Sequence, residues 1–216
     1  MLPAGMALLC FSQKALRARN RAKCARCFLD IQDHINTNRD GFFPYTPSIP
    51  LLYGLKKSLE VILDEEGLDN IFKRHHRLAE GVRRAVKAWK LKLVAKSPQL
   101  YSDTVSAIYV PKGFDARDVI EIAYYRYNLS LGAGLSVLAG KAFRIGHLGD
   151  HNEGSILGAL GATELALIDA GIPITPGKGV GAAVKYFSET ATPLKVKLTT
   201  EKLKETRRKA RSKTKK

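Results

Sequence analysis

Hydrophobic positions along this chain change period several times, and each period predicts an element. Leu51, Leu55, Leu59 and Ile62 recur at 4-4-3 spacing, which puts them on one helix face, and Gly67 ends that helix. A longer helix follows from Leu68 to Trp89, where Phe72, His75, Ala79, Val82, Val86 and Trp89 keep 3-4-3-4-3 spacing. Thr104–Val110 is rich in β-branched and aromatic residues and predicts a strand. Asp115 caps a helix running to about Asn128, with Val119, Ile122 and Ala123 inward. Leu129–Leu131 and Ala142–Ile145 predict short strands around a glycine-rich loop. Ile156, Leu160, Thr163 and Leu167 mark a helix that stops at Gly171, before Pro173, and Gly179–Ser188 predicts a last helix. Strands and helices alternate through this second half, so it predicts a compact α/β domain. No period of repeat length recurs.

The first fifty residues are less regular. Met6–Cys10 is a short apolar run and predicts a strand; Ser12 then caps a basic helix over Lys14–Cys24. Phe28–Ile31 predicts a short strand or turn, and Asn36–Gly41 a polar loop. Pro44, Pro47 and Pro50 hold an extended segment and then start a helix.

Composition narrows the class. A chain of 216 residues can bury a substantial core, and 45% apolar with 26% charged residues is ordinary for a globular protein. Met1–Phe11 is too short and lacks the basic start needed for a signal peptide or a membrane span, so no membrane is expected. The three cysteines predict a reducing, cytoplasmic setting more than a disulfide scaffold. Cys24-Ala25-Arg26-Cys27 has metal or redox spacing, but no second pair or paired histidines complete a zinc set, and no metal is expected. The formal charge is +16, yet residues 193–216 hold 11 Lys+Arg against 2 Glu. The excess is therefore largely a basic tail without aromatic residues, expected to be disordered and to bind polyanions weakly.

The candidate chemistry sits in Gly140-Lys141-Ala142-Phe143-Arg144-Ile145-Gly146-His147-Leu148-Gly149-Asp150. Arg144 interrupts an apolar run bounded by glycines. A cation in such a strand needs either an internal carboxylate, with Asp150 nearest in sequence, or an anionic ligand. Its planar fork suits a small carboxylate held by two parallel hydrogen bonds. His75 and His76 lack a partner histidine at i+4 and read as packing or surface residues. Gly132-Ala133-Gly134 lacks the third glycine of a dinucleotide loop and reads as a flexible loop.

Tyr127-Asn128-Leu129-Ser130-Leu131-Gly132-Ala133-Gly134-Leu135 together with Gly140–Gly149 resembles the C-terminal domain of class V pyridoxal-phosphate aminotransferases, most of all the serine–glyoxylate and alanine–glyoxylate group. The resemblance runs from Met1 to about Ser188. It implies an α/β fold, the C-terminal part of a fold type I transferase: residues 1–66 as the end of the large cofactor-binding domain, 67–90 as a linking helix, 91–190 as a small α/β domain, and 191–216 as the tail. It implies pyridoxal 5'-phosphate as cofactor, an amino acid and a 2-oxo acid as substrates, and a homodimer. By the same resemblance Arg144 holds the substrate carboxylate, and Tyr45 and Ser48 reach the phosphate of the neighbouring subunit's cofactor. Read without it, Tyr45 and Ser48 are helix-starting punctuation. The Gly132–Gly134 loop is placed near the substrate, and His147 is local structure. The family's Schiff-base lysine would precede Met1; Lys14, after Ser12-Gln13, fits instead a surface helix, so no catalytic residue is expected in this chain and it is expected to be inactive alone. The alternative expectation is a non-catalytic module whose basic tail binds nucleic acid or acidic partners.

Overall fold

The computed structural model describes residues 2–191, so the expected basic tail lies outside the described residues. The chain divides into two units, Met1–Lys73 and Arg74–Lys216.

The first unit is helical. Helix α1 (Gln13–Arg21) starts where Ser12 accepts a hydrogen bond from the Ala15 amide, as its capping hydroxyl predicts. Helix α2 (Ile31–Asn38) takes the first half of the expected polar loop, and residues 39–41 form a turn. Its start is a cap rather than an apolar face: Asp30 accepts from the Gln32 amide and from the Arg19 guanidinium. Helix α3 (Ile49–Glu60) continues into a wider π turn over Val61–Glu66, and Gly67 ends it. The expected strand at Met6–Cys10 is not formed. An apolar run becomes a strand only when a neighbour takes its backbone hydrogen bonds, and the described residues offer this one none.

Helix α4 (Leu68–Ala88) carries the chain into the second unit, where strands β1 (Lys92–Leu93), β2 (Val105–Tyr109), β3 (Gly132–Ala133) and β4 (Ala142–Gly146) alternate with helices α5 (Ala116–Tyr127), α6 (Glu153–Asp169) and α7 (Lys178–Glu189). The sheet order is β1-β2-β4-β3, antiparallel throughout. Strand β3 falls on Gly132–Ala133, not on Leu129–Leu131 as the apolar sequence there suggests. Leu131 is instead a core residue just before the strand.

Strand register explains the placement of the core. Ser106 and Ile108 on β2 stand opposite Ile145 and Phe143 on β4, and all four side chains are buried. Leu78, Val82 and Val86 of α4, Trp89 just after it, Val119 and Ala123 of α5, Ile156, Leu160 and Leu167 of α6, and Phe187 of α7 complete that core. The alternate pair, Ala107 and Arg144, therefore points to the other side of the sheet.

One buried carboxylate ties three helices together. Glu164 of α6 accepts from the Trp89 indole at 2.7 Å, from the Gly179 amide at 2.9 Å and from the Val180 amide at 3.2 Å. It thereby supplies the acceptor that α7, capped only by Gly177, otherwise lacks. Gly179 is required by close approach: a Cβ there would lie 2.1 Å from the Trp89 indole nitrogen. Among the described residues no buried side-chain polar atom lacks a hydrogen-bond partner.

Candidate functional site

Arg144 occupies the middle of β4, flanked by Ala107 on β2 and Gly132 on β3. Its side chain is half-buried, and its Nε donates to the Ala133 carbonyl at 2.9 Å. Among the described residues it forms no ion pair, and Asp150 is not its partner. Of the two readings of this cation, the internal pair with Asp150 is therefore not realised. Among the described residues no carboxylate lies within ion-pair distance of its terminal nitrogens.

The stretch after Arg144 is pinned. His147 is fully buried. Its Nδ1 lies 3.0 Å from the Asp103 carbonyl, which can only accept, so Nδ1 carries the proton and Nε2 accepts from the Ser106 hydroxyl at 3.0 Å. Burial pushes its pKa from 6.5 down to about 4, despite the opposing hydrogen bond to Asp103. The ring is neutral and closed off, which suits a strut between β2 and β4 and not an acid–base group. The next turn is held from α4: His75 Nε2 accepts from the Gly149 amide at 3.0 Å, and Arg74 donates to the Gly149 and His151 carbonyls at 2.8 and 3.1 Å.

Beneath lies a charged network. Arg83, nearly buried, donates to Glu80 at 2.6 Å and to Asp103 at 2.7 Å. Burial would raise the Asp103 carboxyl, but hydrogen bonds from Arg83 and His76 outweigh it and hold the group below its ordinary value. Sequence reasoning missed Arg74, Arg83, Asp103 and Ser106 because each acts through a partner distant in sequence. For His75, only its place on the buried face of α4 was readable.

Tyr45 and Ser48 share the segment that leads into α3. Ser48 stands at the N-cap, yet its hydroxyl makes no capping hydrogen bond and is exposed. The Tyr45 hydroxyl donates to the Asp33 carboxylate at 3.3 Å, and its ring packs on Phe28 with centroids 5.0 Å apart. Burial, then Cys27 and Asp33, raise its pKa. The uncapped Ser48 hydroxyl at a helix start is a donor that suits a phosphate, although Pro50 in the first turn offers no amide, and the long Tyr45–Asp33 bond leaves the tyrosine hydroxyl as a second, exchangeable donor. Tyr45 and Ser48 thus come together in the first unit, while Arg144 belongs to the second.

Gly132-Ala133-Gly134 is not the loop its composition suggests. Its first two residues pair with β4, and a Cβ on Gly134 would lie 2.3 Å from the Leu138 carbonyl oxygen. These glycines serve close packing rather than flexibility. Among the described residues no three or more His, Cys, Asp or Glu side chains cluster so as to hold a metal ion, and Cys10, Cys24 and Cys27 are exposed and unpaired. No described helix is long and apolar enough to cross a membrane.

Comparison with known proteins gives these positions a context. No family model matches the chain. It is 54% identical over 202 residues to a serine–glyoxylate aminotransferase of Hyphomicrobium methylovorum, covering 92% of this chain and 49% of that protein. It is 53% identical over 194 residues to the enzyme of the same name from Methylorubrum extorquens, covering 88% and 48%. An L-aspartate–glyoxylate aminotransferase of Paracoccus denitrificans is 47% identical over 190 residues, with 88% and 48% covered. Among solved structures, pyridoxamine–pyruvate aminotransferase from Mesorhizobium loti superposes with a TM-score of 0.74 at 32% identity, covering 83% of this chain and 47% of that one. The chain spans about half the length of the curated relatives it matches.

Proposed function

The chain belongs to the class V pyridoxal-phosphate aminotransferases, in whose C-terminal portion it fits, and we propose from this premise that it serves an enzyme moving an amino group from serine, alanine or aspartate to glyoxylate. Enzymes of this type use pyridoxal phosphate. When bound, that cofactor supplies the electron sink for the transfer; the protein binds and orients. In this reading the Arg144 fork grips the substrate carboxylate, the end common to every amino acid and 2-oxo acid the reaction handles. The buried His147, Ser106 and Asp103 fix the strand that presents it. Ser48 and Tyr45 hold the phosphate of a neighbouring subunit's cofactor, in a homodimer.

We assign no lysine of this chain to the cofactor. Lys14 is exposed in the first turn of α1, a surface position. The working unit comprises residues 1–66 as the end of a cofactor domain, 67–90 as a linking helix and 91–190 as a substrate domain. Exposed, unpaired cysteines favour a cytoplasmic setting.

The observation that carries the reading is Arg144: a half-buried guanidinium with one nitrogen bonded to a backbone carbonyl and no carboxylate partner among the described residues. The test is to combine the chain with the N-terminal half of the Hyphomicrobium methylovorum enzyme and assay amino transfer from serine to glyoxylate. Activity present only in the mixture, and lost with Arg144→Leu, is expected. A stable but inactive complex would overturn the reading.

A second reading has one observation behind it. A groove of about 820 Å³ is lined in part by Lys87, Lys90, Lys92 and Lys96, none of them in an ion pair among the described residues. That surface suits a polyanion, as a non-catalytic module for nucleic acid or acidic partners would require, and its binding would weaken steeply with salt.

A further inference from the structure

We infer that the two-residue strand β3 aims the Arg144 guanidinium, with Gly132 and the Ala133 carbonyl acting as positioning groups for the carboxylate grip. The inference rests on the reading of Arg144 proposed above.

An arginine stem has many rotamers, and a cation waiting for a ligand loses that freedom on binding unless it is already held. Two contacts hold this one. The Nε hydrogen bonds the Ala133 carbonyl at 2.9 Å. That bond removes the side-on mode, in which Nε and one terminal nitrogen grip a carboxylate together. It leaves the end-on mode through Nη1 and Nη2. The second contact is the floor beneath the stem. Gly132 stands directly opposite Arg144 in the register. A Cβ at Gly132 would lie 3.1 Å from Arg144 Cβ, 3.1 Å from Nε and 3.4 Å from Cζ. The stem and the head of the fork both lie across the space that any larger residue would fill.

Gly132 is not there for its backbone, since its φ is outside the left-handed region that favours glycine. The absence of a side chain is what the geometry uses. The carbonyl that receives Nε is itself well fixed. The Gly134 amide donates to the Ala142 carbonyl at 2.9 Å, and a Cβ on Gly134 would come within 2.7 Å of that same oxygen. A strand of two residues is thereby locked to β4 just beyond its end, and Ala133 cannot drift. Sheet, carbonyl and fork form one rigid piece, the condition under which a bidentate grip discriminates a planar carboxylate from other anions.

The test uses the full 216-residue chain with ¹⁵N-labelled arginine. The Arg144 Nε–H resonance is identified by its loss in Arg144→Lys. Glycolate serves as probe, because it is a small carboxylate without a carbonyl that lysines could attack. In the unaltered chain the Nε–H should exchange slowly with solvent, and terminal-nitrogen signals of the same residue should shift on titration. Gly132→Ala should weaken glycolate binding by about fivefold or more and speed Nε–H exchange, with the unfolding midpoint kept within about 2 °C because alanine suits this backbone. In an Arg144→Lys background, Gly132→Ala should change nothing further.

If the unaltered chain shows no Arg144-dependent response to glycolate, the carboxylate-grip reading itself fails. If it responds and Gly132→Ala binds equally well, the grip stands and the positioning inference is overturned. A Gly132→Ala chain that fails to fold would mark Gly132 as a structural residue and overturn the inference as well.

Discussion

From Leu2 to Lys73 one side chain, Ile71, is buried; from Arg74 onward, α4, α5, α6, α7 and the sheet close over a continuous core. Both regions are built of capped helices with apolar faces. In the first, those faces stay open: Tyr53 of α3 is 72% exposed and Leu59 43%, whereas Trp89 in the second is 2% exposed. Caps and ion pairs hold the first region's helices, such as Asp30 with Arg19 and Lys57 with Glu65. Exposed pairs of that kind contribute about 0–1 kcal/mol each. The contrast bears on how firmly each unit holds its candidate residues. Arg144 is held by groups of its own unit, while Tyr45 and Ser48 sit in a unit that buries almost nothing among the described residues.

The sharpest way to break this contrast is to truncate matched side chains. Trp89→Ala removes a buried indole and the Glu164 hydrogen bond and should cost about 3–5 kcal/mol. Leu29→Ala should change stability by less than about 0.5 kcal/mol. Chemical denaturation of both variants checks this, and a comparable loss at Leu29 would mean that the first unit has a core of its own.

Acid should act on the second region through His147. Its folded pKa of about 4 lies below the ordinary 6.5, so the unfolded chain takes up a proton that the folded chain refuses between those values. Stability from this group is complete above about pH 6.5 and is lost as pH falls towards 4, by about 2–3 kcal/mol. His147→Gln should flatten that part of the stability-against-pH curve. An unchanged slope would show that the buried ring does not titrate as described.

A smaller effect isolates the first region. Asp30→Ala removes the cap of α2 and should cost about 1 kcal/mol locally. Hydrogen exchange should quicken in residues 31–38 while amides of β2 and β4 keep their rates. Faster exchange in the sheet would show that the two regions open together.

How far these features were legible in the sequence follows the same division. Spacing located α4, α5 and α6 because their buried residues, such as Val82, Val119 and Leu160, repeat at helical period against a real core. Where nothing is buried, period carries no information: α2 rests on the Asp30 cap, and Met6–Cys10 is apolar without being a strand. Strand β3 was misplaced because Gly132 and Gly134 signal flexibility, whereas the close approach of Gly132 to Arg144 and of Gly134 to Leu138 depends on residues distant along the chain or on the fold of the loop. Arg144 itself stood out as a lone cation in an apolar run. The sequence could not distinguish a ligand-binding arginine from one paired with Asp150, since that depends on a side-chain direction the sheet register sets.

The central claim is that Arg144 serves substrate and not the fold. In the enzyme reassembled with a cofactor-bearing half, Arg144→Lys keeps the charge but loses the two-pronged geometry. For serine, kcat/KM should fall by roughly 10- to 150-fold, equivalent to about 1.5–3 kcal/mol, while the unfolding midpoint of the chain is unchanged. An unchanged kcat/KM, or a fall in midpoint matched by Asp150→Asn, would contradict it.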